Sequence, residues 1–266
     1  MAKIRMLTLE EWFSAHQLTY AFRKYCHNPI TIDVDVTRMV QASEEAGVRF
    51  SPTAAVLKAV GVVLRLRPSL NRMLFHTPFG QRIVEFDSIG INLPVQIENK
   101  GDPVLSAMVV KDPSGRSALD IHRDVREFAK SDLSDKPIAR FLSAKKNTWY
   151  NRLLLRVLHF VIFSFPRFYT QKGAGAVAVS SLVNQDNPAM WVRGIAIGPN
   201  SFTVGVSGLK KTNDGRYILL LGLDVNHSVL SGIEGMEVCN LLSRTLHLAT
   251  FDKFYCSEGY EKESVA

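Results

Sequence analysis

His227 stands in the stretch LDVNHSVLSGIEG (223–235), at the end of an apolar, strand-like run and five residues before a glycine-bearing helix start. Imidazole ionises near neutral pH, so a histidine placed at a strand end can take and return a proton. The loop after it, SVLSG, runs into a helix start whose backbone N–H groups can gather around a reacting oxygen. A second apolar strand, GAVAVSS, ends in Ser180 and Ser181 and offers hydroxyl donors. A neutral imidazole with a hydroxyl donor and no obvious internal nucleophile suits direct acyl transfer. The base deprotonates the incoming group, and the donor stabilises the tetrahedral oxyanion. Taken alone, a strand-end histidine is more often a satisfied structural residue, so both readings stay open here.

The elements that must position these residues are legible in part. TLEEWFSAHQLTYAFRKY predicts a first helix capped by Thr8, with Glu10 and Glu11 in its first turn, ended by Asn28-Pro29. ITIDVDV alternates with period two and predicts a strand. TRMVQASEEAG predicts a short helix capped by Thr37 and closed by Gly47. SPTAAVLKAVGVVLRLRPSLN predicts a central helix, apolar on most faces, with Ser51 as cap and Pro52 at its first position. Strands follow at QRIVEFDS, IGINLPVQIE and VLSAMVVKDP, then an amphipathic helix at SALDIHRDVREFAKSD. Further strands are predicted at GAVAVSSL, MWVRGIAIG, SFTVGVSGLKK and YILLLGLDVNH, the last two joined by the hairpin signal TNDG. IEGMEVCNLLSRTLHLA predicts a final helix. Strands and helices mix without regular βα alternation, and no linker divides them. The expectation is an α+β two-layer sandwich in one domain over residues 1–256, with a frayed tail at 257–266.

The chain has 266 residues, 46% of them hydrophobic, and a net charge of +7. That balance favours an acidic partner: nucleic acid, an anionic membrane face, a coenzyme phosphate or an acidic carrier protein. A basic, non-selective surface fits it as well. Phosphate-binding glycine loops, metal-spaced histidine clusters, helix-turn-helix and RNA-binding signals are absent, which speaks against nucleotide, metal and nucleic-acid functions. Cys26, Cys239 and Cys256 form no CxxC pair, which fits a reduced cytoplasm, and the N-terminus carries no apolar secretory core. One segment strains a soluble reading: NRLLLRVLHFVIFSFPRFY, Asn151 to Tyr169. It is shorter than the ~20 apolar residues needed to cross a bilayer. Burial against protein is the preferred reading, with a lid or an interfacial helix flanked by Arg152 and Arg167 as the alternatives.

These pieces, in this order and spacing, resemble the chloramphenicol acetyltransferase and dihydrolipoamide acyltransferase catalytic-domain superfamily. HSVLSG resembles its H-x-x-x-D-G motif at His227 and Gly232. GAVAVSSL resembles its G-T-F-T-I-S-N-L strand, with Ser180 on the serine. PITIDVDVTRM, the helix ending in P-x-L-N, and DSIGINLPVQI resemble the family's successive segments, and the first helix with Trp12 is closest to the chloramphenicol branch. The resemblance implies a mixed sheet and a homotrimer with active sites between subunits. It further implies His227 as general base, and Ser180 of a neighbouring subunit as oxyanion donor. Coenzyme A or a phosphopantetheine thioester would be co-substrate, with no permanently bound cofactor and no metal.

Two departures sharpen the expectation. The motif acid is Ser231, and the arginine it would pair with, two residues after the tryptophan, is Ser14. Losing one member of such a buried pair costs about 3–5 kcal/mol, whereas losing both can be nearly neutral. Ser231, Gly232 and Asn226 are therefore expected to support the loop, with Ser181 and Ser14 as candidates for a substrate pocket. The apolar insertion at about 145–172 could line an acceptor pocket, cover the channel or add a contact. The leading expectation is a stand-alone cytoplasmic acyltransferase acting on a hydroxyl, amine or thiol acceptor, the donor being coenzyme A or an acyl carrier protein. Its rival is a catalytically inactive trimeric scaffold, peripherally membrane-apposed through Leu153–Phe165. A trimeric complex core recruiting separate lipoyl proteins is a third reading.

Overall fold

The computed structural model describes residues 5–99, 102–132, 136–170, 175–181, 198–250 and 254. At its centre lies α3 (Pro52–Leu66), capped as expected by Ser51, whose hydroxyl accepts from the Ala54 N–H, with Pro52 at the first position. Every residue from Ala54 to Leu64 is buried. Lys58 is among them, and its Nζ donates to the Arg116 carbonyl at 2.7 Å. Gly61 allows the Pro113–Ser114 turn to lie against the helix, for a Cβ there would stand 2.7 Å from Pro113 Cγ and Ser114 N. The helix stops at Leu66 rather than running on to Asn71. Arg67 precedes Pro68 and is driven out of the helical region (φ −131°, ψ 77°), and Pro68–Leu70 form a separate 3₁₀ turn.

A six-stranded sheet packs against this helix. Its strands are β1 (His27–Asp35), β4 (Gly90–Asn99), β5 (Asp102–Lys111), β6 (Val177–Ser181), β7 (Phe202–Lys211) and β8 (Tyr217–Asn226), in the order β1-β8-β7-β6-β4-β5. The β4–β6 and β6–β7 pairs are parallel and the others antiparallel, so the sheet is mixed. Alternate residues such as Ile91, Leu93, Val177, Val179, Val204, Leu221 and Leu223 form one core with α3. α4 (Ala118–Lys130) packs on α3 and β4, and α8 (Gly232–His247) on α3 and β1. The result is the expected two-layer α+β sandwich. A separate hairpin joins β2 (Arg72–Thr77) and β3 (Gly80–Glu85).

Local differences have local causes. α1 (Leu9–Lys24) carries a capping box between Thr8 and Glu11. Pro29 does not break the chain after it but lies inside β1, tolerated because β1 is an edge strand. α2 (Thr37–Glu45) is not capped by Thr37. Asp35 instead accepts from the Thr37 N–H and hydroxyl. Gly47 (φ +67°) closes α2 as predicted, with Gly47 N bonding Glu44 O and Val48 N bonding Ser43 O. The TNDG hairpin also forms, with Gly215 at φ +83°. Two elements went unpredicted: β2, and α5 (Pro137–Ala144). The predicted strand at MWVRGIAIG falls almost wholly outside the described residues, and the tail at 257–266 falls outside them altogether.

The apolar insertion is helical. α6 (Trp149–Ser164) and α7 (Pro166–Thr170) span most of it. The preferred expectation of burial against protein is corrected here: α6 buries only Asn151, Leu155, His159 and Ser164. Leu155 meets Leu9 and Phe13 of α1, while most of the apolar surface of α6 faces outward.

Candidate functional site

His227 is the first residue beyond the last paired position of β8, where Asn226 stands opposite His27. Its backbone N–H donates to Cys26 O at 2.7 Å, which fixes the chain as it leaves the sheet. The side chain is exposed in the single subunit, and its Nε2 lies 3.3 Å from Asn28 Nδ2. An amide NH₂ can only donate, so in this contact Nε2 is the acceptor. A base needs just such an unprotonated nitrogen facing outward.

Asn226 builds the loop. Fully buried, it donates from Nδ2 to Asn200 O at 3.1 Å and accepts from Ser228 N at Oδ1, 3.0 Å. Its carbonyl accepts from both Val229 N and Leu230 N at 2.9 Å. Ser228 Oγ accepts from Cys26 N, and Leu230 is wholly buried, so the turn is pinned from both sides. Gly232 opens α8 beneath the His227 ring; a Cβ there would stand 3.6 Å from His227 Cε1.

Ser231 is the N-cap of α8. Its hydroxyl accepts from Glu234 N at 3.3 Å and donates to Glu234 Oε2 at 3.0 Å, while its N–H donates to the same oxygen at 2.8 Å. Arg72 of β2 reaches across to both Glu234 oxygens, at 2.8 and 3.0 Å, and to Val229 O at 2.9 Å. Burial opposes ionisation of Glu234, but the Ser231 groups and the Arg72 guanidinium hold its carboxyl below the ordinary range. The loop therefore carries an ion pair of its own, Arg72–Glu234. Ser14 has no hydrogen bond to this loop and sits exposed on α1.

Ser180 and Ser181 point to opposite faces of β6. Ser181 turns towards the helix layer, where its hydroxyl shares a 2.6 Å bond with Thr53 at the start of α3. The Ser180 hydroxyl has no hydrogen-bond partner among the described residues. Registers place Ser180 level with Gly205 of β7 and Gly222 of β8, five residues short of His227 and two strands away. At ~3.4 Å per residue and ~4.8 Å per strand the separation is about 20 Å. One chain does not bring the two together.

Arg72, Glu234 and Asn28 were not singled out from the sequence. The only signal for Glu234 was its place three residues after Ser231, as in a capping box. A second buried pair adjoins the site: His27 Nδ1 lies 3.2 Å from Asp224 Oδ2, at ion-pair distance though not aligned for a hydrogen bond, with side chains 4% and 0% exposed. Asp224 was hidden by the apolar run around it.

No protein-family model and no curated protein matches the chain. Solved structures do. An Azotobacter vinelandii dihydrolipoamide acetyltransferase superposes with a TM-score of 0.60 at 17% identity, over 93% of this chain and 92% of that one. A probable dihydrolipoamide acetyltransferase from Listeria monocytogenes gives 0.61 at 18%, over 100% and 98%. A chloramphenicol acetyltransferase gives 0.50 at 14%, over 94% and 99%. The chain has the chloramphenicol acetyltransferase-like fold. In the Azotobacter protein a serine, a histidine and an asparagine four residues beyond the histidine have been investigated for their role in catalysis. Within the chloramphenicol acetyltransferase-like fold, His227 and Ser231 have that same spacing.

Proposed function

We propose that the chain is a stand-alone acyltransferase of the cytoplasm, working as a homotrimer. It moves an acyl group from coenzyme A, or from a carrier-protein phosphopantetheine, to a hydroxyl, amine or thiol. The observation that carries this is the placement of His227 and Ser180. The His227 imidazole, whose Nε2 accepts from Asn28, and the Ser180 hydroxyl, which has no hydrogen-bond partner among the described residues, lie too far apart to meet in one chain. That separation supports a site shared between copies. His227 Nε2 takes the proton of the acceptor as its heteroatom bonds to the thioester carbon. Ser180 of the neighbouring subunit donates to the oxyanion. Collapse breaks the carbon–sulfur bond, and the departing thiolate takes the proton back from the imidazolium. The relation of Ser231 to the asparagine of the Azotobacter enzyme supports a loop that works without a charged motif residue.

One observation favours the rival scaffold reading: Asn28 already occupies the Nε2 lone pair and must yield to an acceptor. A screen of acyl-thioester donors against acceptors, read by thiol release and product mass, separates the two. Turnover is expected with at least one pair, abolished by His227→Ala and reduced about 10²–10³-fold by Ser180→Ala. Turnover that survives His227→Ala would remove the imidazole from the mechanism, and none with any competent pair would leave the scaffold.

A further inference from the structure

We propose that α6 and α7 dock the protein, lying flat, on a bilayer containing anionic lipid. The inference does not rest on the acyl-transfer reading. Trp149, Leu153, Leu154, Val157, Leu158 and Phe160 are all exposed, Trp149 by 75%. At about 100° per residue they fill one arc of α6, opposite the buried Asn151, Leu155 and His159. Phe168 of α7 continues the patch beyond the helix end. A water-facing helix of a monomer carries its polar residues on that side; here the outward face is the apolar one.

Depth and charge fix the occupant. Sixteen residues make a helix about 24 Å long, and no described helix is long and apolar enough to cross a membrane. The arc suits burial to the headgroup boundary. Arg152 and Arg156 border it, their guanidinium groups 5.8 and 5.4 Å from the Trp12 ring centre. Beside them a recess of about 400 Å³ is lined by Trp12, His16, Thr19, Arg23 and Arg156. Neither Arg23 nor Arg156 has a carboxylate partner among the described residues, which leaves the recess open to lipid phosphate. From Lys136 to Gln185 the chain has eight Lys and Arg and no Asp or Glu. The chain's own composition would put about five acidic residues in such a stretch. Two-fold pairing of this face with a second copy would set those like charges against each other. A negatively charged bilayer complements them.

The test is flotation of the full chain with phosphatidylcholine vesicles, with and without phosphatidylglycerol. Binding is expected to be about tenfold or more tighter to the anionic vesicles and to weaken with salt. Leu154→Glu with Val157→Glu should lose it at unchanged oligomeric mass and unchanged melting. Arg152→Gln with Arg156→Gln should lose only the anionic preference. Three results overturn the proposal: no flotation with either vesicle, a double glutamate variant that floats as well as the parent, or one whose oligomer dissociates. The last would assign the arc to a contact between copies.

Discussion

Mixing two inactive variants should restore activity. The registers across β6, β7 and β8 separate Ser180 from His227 by about 20 Å, whereas an oxyanion donor must come within about 3 Å of the reacting oxygen. No side-chain rotamer spans that gap, so the proposed site must take His227 from one subunit and Ser180 from the next. In trimers assembled at random from equal amounts of His227→Ala and Ser180→Ala chains, about a quarter of interfaces join an intact histidine to an intact serine. The whole mixture should therefore recover about a quarter of wild-type turnover, and purified mixed trimers, each with one intact site in three, about a third, from parents each lowered 10²-fold or more. Co-expression with two affinity tags isolates the mixed trimers, and thiol release at saturating donor measures the recovery. Mixed trimers of verified composition that are no more active than the sum of their parents would refute the shared site.

Placing an acid at position 231 should harm this protein. In Ser231→Asp the new carboxylate would stand about 3 Å from Glu234, where the serine now donates, costing about 1–2 kcal/mol at this half-exposed site. A melting scan should show Tm lower by about 2–4 °C, and the same substitution made on a Glu234→Gln background should cost little further. An unchanged or higher Tm would disprove the Ser231–Glu234 account. His159 gives the pH dependence. Burial first, and then the charge of nearby His16, lower it to about 4, below the ordinary 6.5. Between those values the unfolded chain binds the proton and the folded chain does not, so stability is complete above pH 6.5 and falls as pH drops towards 4. His159→Phe should remove about 2 kcal/mol of that acid loss, measured as the difference in urea midpoint between pH 7.5 and 4.5. A loss of equal size in the variant would place the acid sensitivity elsewhere.

Most of the fold was written in periodicity and caps: Ser51-Pro52 started α3, Gly47 closed α2, and the TNDG turn joined β7 to β8. What escaped was decided by partners distant in sequence. Arg72-Met-Leu-Phe-His-Thr forms a strand because it pairs with Gly80–Glu85, and Pro29 sits in a strand because β1 lies at the sheet edge. The site divides in the same way. His227 and Ser180 could be named from their places at strand ends, and Asn226 and Ser231 through the motif the loop resembles. Arg72 could not, because only the folded hairpin carries it 162 residues along the chain to Glu234. Ser181 was expected in a substrate pocket, but strand pleating sends its hydroxyl to the opposite face from Ser180, against Thr53.

The strand order has a consequence for how the protein is made. β1 is completed early yet pairs only with β8, the last of the described strands to emerge, and the largely apolar α3 waits for α8 to cover one of its sides. At 5–20 residues per second, about 180 residues must leave the ribosome after α3 before its cover arrives, a delay of about 10–40 s. Through that interval the side of α3 that α8 covers in the finished fold stays open, although α4 and the Pro113–Ser114 turn can already pack on its other sides. Expression yield should therefore respond to chaperone supply as well as to the stability of the finished fold.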